Sequence, residues 1–180
     1  MCCDSTNPTR RIVAHASVAL VALLLVAPPA SAQYASQVAR WVAQDAADPV
    51  ASGGIVFAGS SSIRRWEELT LDFNDYNVLQ RGLGGATFDT YQPHVGDAVL
   101  AHSPRAVVVW LGTNDIAGGV SGASVASKFT TFVNSIHTPL PNTDVFYIGI
   151  VPTPGRQGNR AQEDIANAQI ASYAASTAHV

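Results

Sequence analysis

The chain has 180 residues, a length that suits one ordinary domain. Thirteen acidic residues outnumber ten basic ones, which gives a formal net charge of −3 at pH 7. This balance leaves no basic patch, so nucleic acid is not an expected partner.

The first 32 residues have the pattern of a secretory signal peptide. A basic pair at 10–11 precedes the apolar run 12–26, and two prolines and the small residues 30–32 follow. The pattern predicts cleavage between Ala32 and Gln33 and a secreted or periplasmic protein, with Sec and twin-arginine export both open. A membrane anchor would need about 18 uninterrupted apolar residues, and the prolines cut this run short. Cys2 and Cys3 would leave with the signal, so the processed chain would have no cysteine for a disulfide or a thiolate metal site.

Residues 33–180 alternate between helical and strand-like patterns. In the first predicted helix, Val38, Trp41 and Val42 recur at helical spacing, whereas 105–111 is apolar without alternation, as a central strand buried on both faces should be. This order is typical of βαβ units and predicts an α/β domain with a parallel sheet and helices on both faces. The predicted strands are 55–58, 77–80, 105–111 and 145–151, and the predicted helices are 33–48, 63–69, 88–102, 124–137 and 159–176.

Three loops that leave the predicted strands carry small and polar residues. They are 59–62 (GSSS), 82–85 (GLGG) and 112–115 (GTND). In such a sheet, ligands bind at the carboxyl ends of the strands. A serine hydroxyl beside a glycine backbone and a side-chain amide indicates a nucleophile with an oxyanion hole. The serines taken alone also suit a simple helix cap.

The three loops resemble, in their order and spacing, the sequence blocks of the SGNH (GDSL-like) hydrolases, which are esterases and lipases. The resemblance spans residues 55 to about 176. It implies a flavodoxin-like, three-layer α/β/α fold with Ser61 as the nucleophile. It also implies that the Ser61 and Gly85 backbone N–H groups and the Asn114 side chain form the oxyanion hole.

The same resemblance implies supporting roles for Gly59, Gly112 and Asp115, with Asp115 holding its loop and taking no part in the chemistry. Gln80 stands where many members of the family carry Asn, which puts one supporting hydrogen bond in doubt.

The family's Asp-x-x-His, which supplies the general base and its orienting carboxylate, has no counterpart in these 180 residues. No acidic residue stands three positions before any histidine, and the histidines are His15, His94, His102, His137 and His179. We therefore expect residues 33–180 to form a domain truncated at its C-terminus, without its last strand or strands and its C-terminal helix. Because serine is a poor nucleophile without a base, this form is expected to be nearly inactive. An unpaired strand edge is expected to make it poorly soluble.

By resemblance, the whole protein is expected to be an exported serine ester hydrolase that works through an acyl-enzyme. The short loops of small or polar residues favour short acyl groups, such as acetyl esters on carbohydrates. An exported carbohydrate- or lipid-binding protein that lost catalysis is the alternative, and an Asp-x-x-His encoded beyond Val180 would favour the enzyme. No His, Asp and Glu spacing indicates a metal site, and no cofactor is expected. The expected partner is a small ester or acylated carbohydrate, with no stable membrane anchor after cleavage, and the oligomeric state is open.

Overall fold

The computed structural model describes residues 30–180, with side chains from residue 32 onward. The predicted signal peptide up to residue 29, including Cys2, Cys3 and His15, lies outside the described residues. Within 30–180, no helix combines the length and the hydropathy needed to cross a membrane.

In the described residues, four parallel strands form the central sheet. They are β1 (Ile55–Gly59), β2 (Val78–Gly82), β3 (Ala106–Trp110) and β4 (Asp144–Tyr147), in the order β2-β1-β3-β4. Gly59 ends β1 opposite Gly82 of β2 and Trp110 of β3, so the three strands finish at one side of the sheet, here called the carboxyl edge. The predicted α/β class with an all-parallel sheet is confirmed.

Helices pack on both faces of the sheet, as the alternating pattern predicts. One face carries the larger core, in which Val56, Val107 and Val145 pack with residues of the long helices. On the other face, Phe57 packs with Ile63, and a smaller aromatic cluster surrounds them. The helices are α1 (Ala30–Ala47), α2 (Ser61–Arg64), α3 (Leu69–Asp72), α4 (Phe88–Tyr91), α5 (Val95–Ala98), α6 (Thr113–Ala117), α7 (Gly122–His137) and α8 (Arg160–Ser176).

Three predicted elements differ from the observed ones. The helix predicted over 63–69 ends at Arg64, and a separate helix, α3, begins at Leu69. The single helix predicted over 88–102 is broken into α4, α5 and two 3-10 turns, because Pro93 has no N–H to donate and Gly96 is a weak helix former. The strand predicted over 145–151 ends at Tyr147. Beyond it the Asn167 side chain takes over the backbone pairing, accepting from the Ile150 N–H at 2.8 Å and donating to the Ile150 carbonyl at 3.0 Å.

Candidate active site

Ser61 lies at the carboxyl edge, as the first residue of α2. Ile63 is fully buried and anchors this one-turn helix against β1. Gly59 allows the close approach, since a Cβ there would stand 2.6 Å from both the Ile63 side chain and the Trp110 carbonyl oxygen. The backbone N–H of Ser61 belongs to the first turn of a helix, where N–H groups have no acceptor inside the helix. Ser60 occupies the N-cap position before Ser61. The Ser60 side chain makes no capping hydrogen bond, so a capping role does not explain the presence of Ser60.

The loop after β2 contributes a tight turn of four residues beside α2. The Leu83 N–H donates to the Gly59 carbonyl at 2.8 Å, which joins this loop to the end of β1. The Ala86 N–H donates back to the Leu83 carbonyl at 3.1 Å, and Gly85 has a φ of +80°. These are the marks of a type II turn with glycine at its third position. Gly85 is exposed, so its backbone is open to a ligand.

The loop after β3 places the Asn114 carboxamide next to that turn. Gly112 adopts a φ of +107° directly before α6, whose second residue is Asn114. The Asn114 Nδ2 donates to the Ala86 carbonyl at 3.0 Å, and its Oδ1 accepts from the Arg156 guanidinium at 3.1 Å. Arg156 also donates to the carbonyl and the hydroxyl oxygen of Thr113, at 2.8 and 2.9 Å. One hydrogen on Asn114 Nδ2 therefore remains for a ligand, with the amide held at both ends.

Asp115 lies beneath the site and is 1% exposed. Both of its carboxylate oxygens accept from the Phe88 N–H at 3.2 Å, which ties the start of α4 to α6. Burial raises the pKa of Asp115 to about 6, against the lowering effects of the Phe88 hydrogen bond and of Lys128. Nearby, the Tyr147 hydroxyl donates to the Leu111 carbonyl at 3.0 Å, and burial raises the pKa of this phenol. Asp115 is thus a buried brace between two loops.

Gln80, at the position where many members of the resembled family carry Asn, makes two hydrogen bonds to backbone carbonyls. Its Nε2 donates to the carbonyl oxygens of Ile63 and Trp66, both at 2.8 Å. The longer glutamine side chain therefore ties β2 to the end of α2.

Three of the described histidines lie away from the carboxyl edge. His102 precedes β3 and accepts from the Gly53 N–H through its carbonyl, just before β1 begins. His137 Nε2 lies 3.0 Å from the Thr143 carbonyl, and His179 Nδ1 lies 2.8 Å from Asp144 Oδ1 at the start of β4. These three therefore stand at the amino ends of the strands. His94 lies in the 3-10 turn between α4 and α5.

The structure brings Ser61, Gly85 and Asn114 onto three neighbouring loops at one edge, with Gly59, Gly112 and Asp115 behind them. Sequence reasoning missed several side chains that contact these loops, and two of them bear on the site. They are Tyr34, whose hydroxyl donates to the Gly84 carbonyl at 3.0 Å, and Arg156. Both contacts join residues more than 40 positions apart, so no local spacing could have signalled them. Within 30–180, no group of three or more His, Cys, Asp or Glu side chains has the arrangement of a metal site.

Comparison with known proteins identifies relatives of the chain. The model of the GDSL-like lipase/acylhydrolase family matches residues 53–180. Among curated proteins, the platelet-activating factor acetylhydrolase IB subunit alpha1 of Bos taurus is 27% identical over 131 residues, which cover 66% of this chain and 54% of that subunit. The chain thus spans about half the length of the curated relatives it matches.

Solved structures share the fold at low sequence identity. A GDSL-like lipase from Bacteroides thetaiotaomicron superposes with a TM-score of 0.64 at 23% identity, over 78% of this chain and 74% of that one. A variant of an acetyl-xylooligosaccharide esterase from Geobacillus gives a TM-score of 0.55 at 14% identity, over 71% of this chain and 74% of that one.

Proposed function

Since this chain belongs to the GDSL-like lipase/acylhydrolase family, we propose that it is the main part of an exported serine esterase that uses Ser61 as its nucleophile. The observation that carries the proposal is the meeting of three loops at the carboxyl edge, where the Asn114 amide bonds to the loop that holds Gly85. Ser61 begins a helix beside them, so a negative oxygen formed there would meet backbone N–H groups and an amide donor.

In the proposed reaction, the Ser61 hydroxyl oxygen attacks the ester carbonyl carbon while its proton passes to a general base. The carbonyl oxygen becomes an oxyanion and accepts from the Ser61 N–H, the Gly85 N–H and the Asn114 Nδ2. The intermediate then collapses, the C–O bond to the alcohol breaks, and the base returns the proton to the leaving alkoxide. Water cleaves the acyl-enzyme by the same two steps and restores Ser61.

None of the three histidines located above can act as the general base at this edge. His102, His137 and His179 lie at the opposite ends of the strands. We therefore propose that the 180-residue chain alone hydrolyses an activated aryl ester barely above background. A site that loses a triad member keeps only roughly 10³–10⁴ over the uncatalysed reaction.

Acetyl esters are the proposed substrates, with acetylated carbohydrates as the leading class. The names of two relatives, an acetylhydrolase and an acetyl-xylooligosaccharide esterase, both refer to acetyl groups. The loops around Gly85 and Asn114 consist mostly of small or polar residues, which favours a short acyl group over a fatty acyl chain.

The test is a serine scan in the protein expressed from its complete reading frame. Ser61→Ala is expected to abolish hydrolysis of p-nitrophenyl acetate while the fold persists, because Ser61 is the first helical residue of α2 and its side chain does not cap the helix. Ser60→Ala and Ser62→Ala are the matched controls and are expected to stay active. Inactivation by either control, with Ser61→Ala active, would show that the nucleophile is assigned to the wrong serine.

The second candidate function is a binding protein for acylated carbohydrate or lipid that has lost catalysis. The placement of His102, His137 and His179 far from the carboxyl edge favours it. A complete protein that binds an acetylated oligosaccharide but hydrolyses no ester would establish this function and exclude the esterase.

A further inference from the structure

The turn that presents Gly85 has no strong conformational preference of its own. Its two central residues are Gly84 and Gly85, closed by the Ala86 N–H to Leu83 carbonyl bond. Two adjacent glycines accept either a type I or a type II turn, and the two forms differ by a flip of the central peptide plane. Only one orientation of the Gly84–Gly85 peptide plane can point the Gly85 N–H at an oxyanion. A contact from outside the turn must therefore favour that orientation.

Tyr34 of α1 contacts the central peptide of this turn. Its hydroxyl donates to the Gly84 carbonyl at 3.0 Å and lies 3.6 Å from the position a Gly85 Cβ would take. No peptide bond of the described chain is cis. In a trans peptide the carbonyl and the following N–H point in opposite directions. A Gly84 carbonyl held towards α1 therefore turns the Gly85 N–H away from α1, and a flip would break the hydrogen bond.

The Tyr34 hydroxyl has a fixed position because α1 is attached to β2 along its length. One turn further on, the Gln37 Nε2 donates to the Gly82 carbonyl at 3.0 Å. Near the end of the helix, Asp45 pairs with Arg81 at 2.6 Å. Tyr34 itself is 6% exposed and packs in the main core, so its ring cannot swing away without losing buried contacts.

We propose that Tyr34 is a positioning residue that holds the Gly84–Gly85 peptide so that the Gly85 N–H faces the oxyanion. The inference rests on the proposed esterase function. Tyr34 would not touch the substrate, and its effect would pass entirely through the backbone of the turn.

The experiment compares Tyr34→Phe with Gln37→Ala in the protein expressed from its complete reading frame. Each variant removes one hydrogen bond from α1 to the β2 strand or its loop, but only Tyr34→Phe releases the Gly84 carbonyl. Tyr34→Phe is expected to lower kcat for p-nitrophenyl acetate by about 5- to 30-fold with KM unchanged. This range lies between the effect of one ordinary hydrogen bond and the roughly 10²–10³ lost with a whole oxyanion donor. Gln37→Ala is expected to lose about as much thermal stability as Tyr34→Phe and to keep kcat within about twofold of the parent value.

Two outcomes would overturn the inference. One is an unchanged kcat in Tyr34→Phe while Ser61→Ala is inactive. The other is an equal loss of kcat in Tyr34→Phe and Gln37→Ala, which would show a general loosening of α1.

A different result would refute the proposed esterase function itself. If Ser61→Ala, Ser60→Ala and Ser62→Ala all kept full activity, the serine esterase proposal would fall, and kcat would no longer report on the turn. The residual dipolar coupling of the Gly85 N–H, which reports the orientation of that bond, then tests the positioning role. Tyr34→Phe should change this coupling and Gln37→Ala should not. An unchanged coupling in Tyr34→Phe would exclude the positioning role.

Discussion

Replacement of Asp115 by asparagine should stabilise the protein at alkaline pH, although Asp115 belongs to the GTND loop. The carboxyl group is 1% exposed, and burial raises its pKa from the ordinary 3.8 to about 6. The folded state therefore holds this proton more tightly than the unfolded chain does. Binding of this proton therefore adds to the free energy of unfolding. The contribution is fully present below about pH 4, falls as pH rises through about 6, and is absent above it. The shift corresponds to about 3 kcal/mol.

Asp115→Asn keeps an oxygen that can accept from the Phe88 N–H but cannot ionise. Its free energy of unfolding should exceed that of the parent by up to about 3 kcal/mol at pH 8, and the difference should shrink towards pH 4. Urea unfolding at several pH values between 4 and 8 measures it. Burial and the charge of Arg81 lower the pKa of His102, which removes stability as pH falls below about 6.5. This contribution is common to both proteins and cancels in the difference.

Asp89→Asn provides the matched control. Asp89 lies near the same site, but its side chain is 68% exposed where it pairs with Lys128. Its replacement should produce no comparable gain at pH 8, because an exposed carboxylate is already solvated. A difference between Asp115→Asn and the parent that stays constant from pH 4 to 8 would contradict the reasoning, as would an Asp115→Asn protein less stable than the parent at pH 8.

Two further predictions concern Asn114, the proposed oxyanion donor, and the N-terminus. Asn114→Ala should lower kcat by about 10²–10³. Arg156→Ala should also lower kcat, but much less in the Asn114→Ala background, since Arg156 acts through that amide. Additive losses would refute the coupling, and Arg160→Ala, which removes an exposed arginine, is the control. The intact mass of the exported protein should correspond to a chain that begins at Gln33, and a retained Met1 would disprove the predicted cleavage.

The fold could be predicted largely from hydrophobic patterning. The unbroken apolar run of β3 indicates a strand buried on both faces, and the alternation of such runs with helical periods leads to a parallel sheet. The interruption of the helix expected over 88–102 was harder to predict, because tertiary packing decides whether Pro93 and Gly96 end a helix or only distort it. Similarly, β4 ends early because Asn167, twenty positions beyond Tyr147, pairs with the backbone.

The residues of the candidate site also differ in how far the sequence predicts them. Ser61, Gly85 and Asn114 stand in short motifs directly after strands, so strand order alone brings them to one edge. Tyr34 lies in an alanine-rich helix whose pattern indicates only packing, and Arg156 lies in a loop without any periodic signal. Their roles depend on where a single hydroxyl or guanidinium points, which is set by packing between elements distant in the chain.

The attachment of α1 also affects the order in which the molecule assembles. Its contacts to the β2 region close loops of 36, 45 and 50 residues, through Asp45, Gln37 and Tyr34 respectively. Contacts at such separations carry a loop-closure entropy and form slowly compared with local ones. Because α1 precedes β1 and β2 in the chain, it has no β2 surface to dock on until these strands have formed. With Tyr34 as the proposed positioning residue, we expect the Gly84–Gly85 turn to reach its final geometry only after α1 docks, and this edge of the sheet to be completed late in folding.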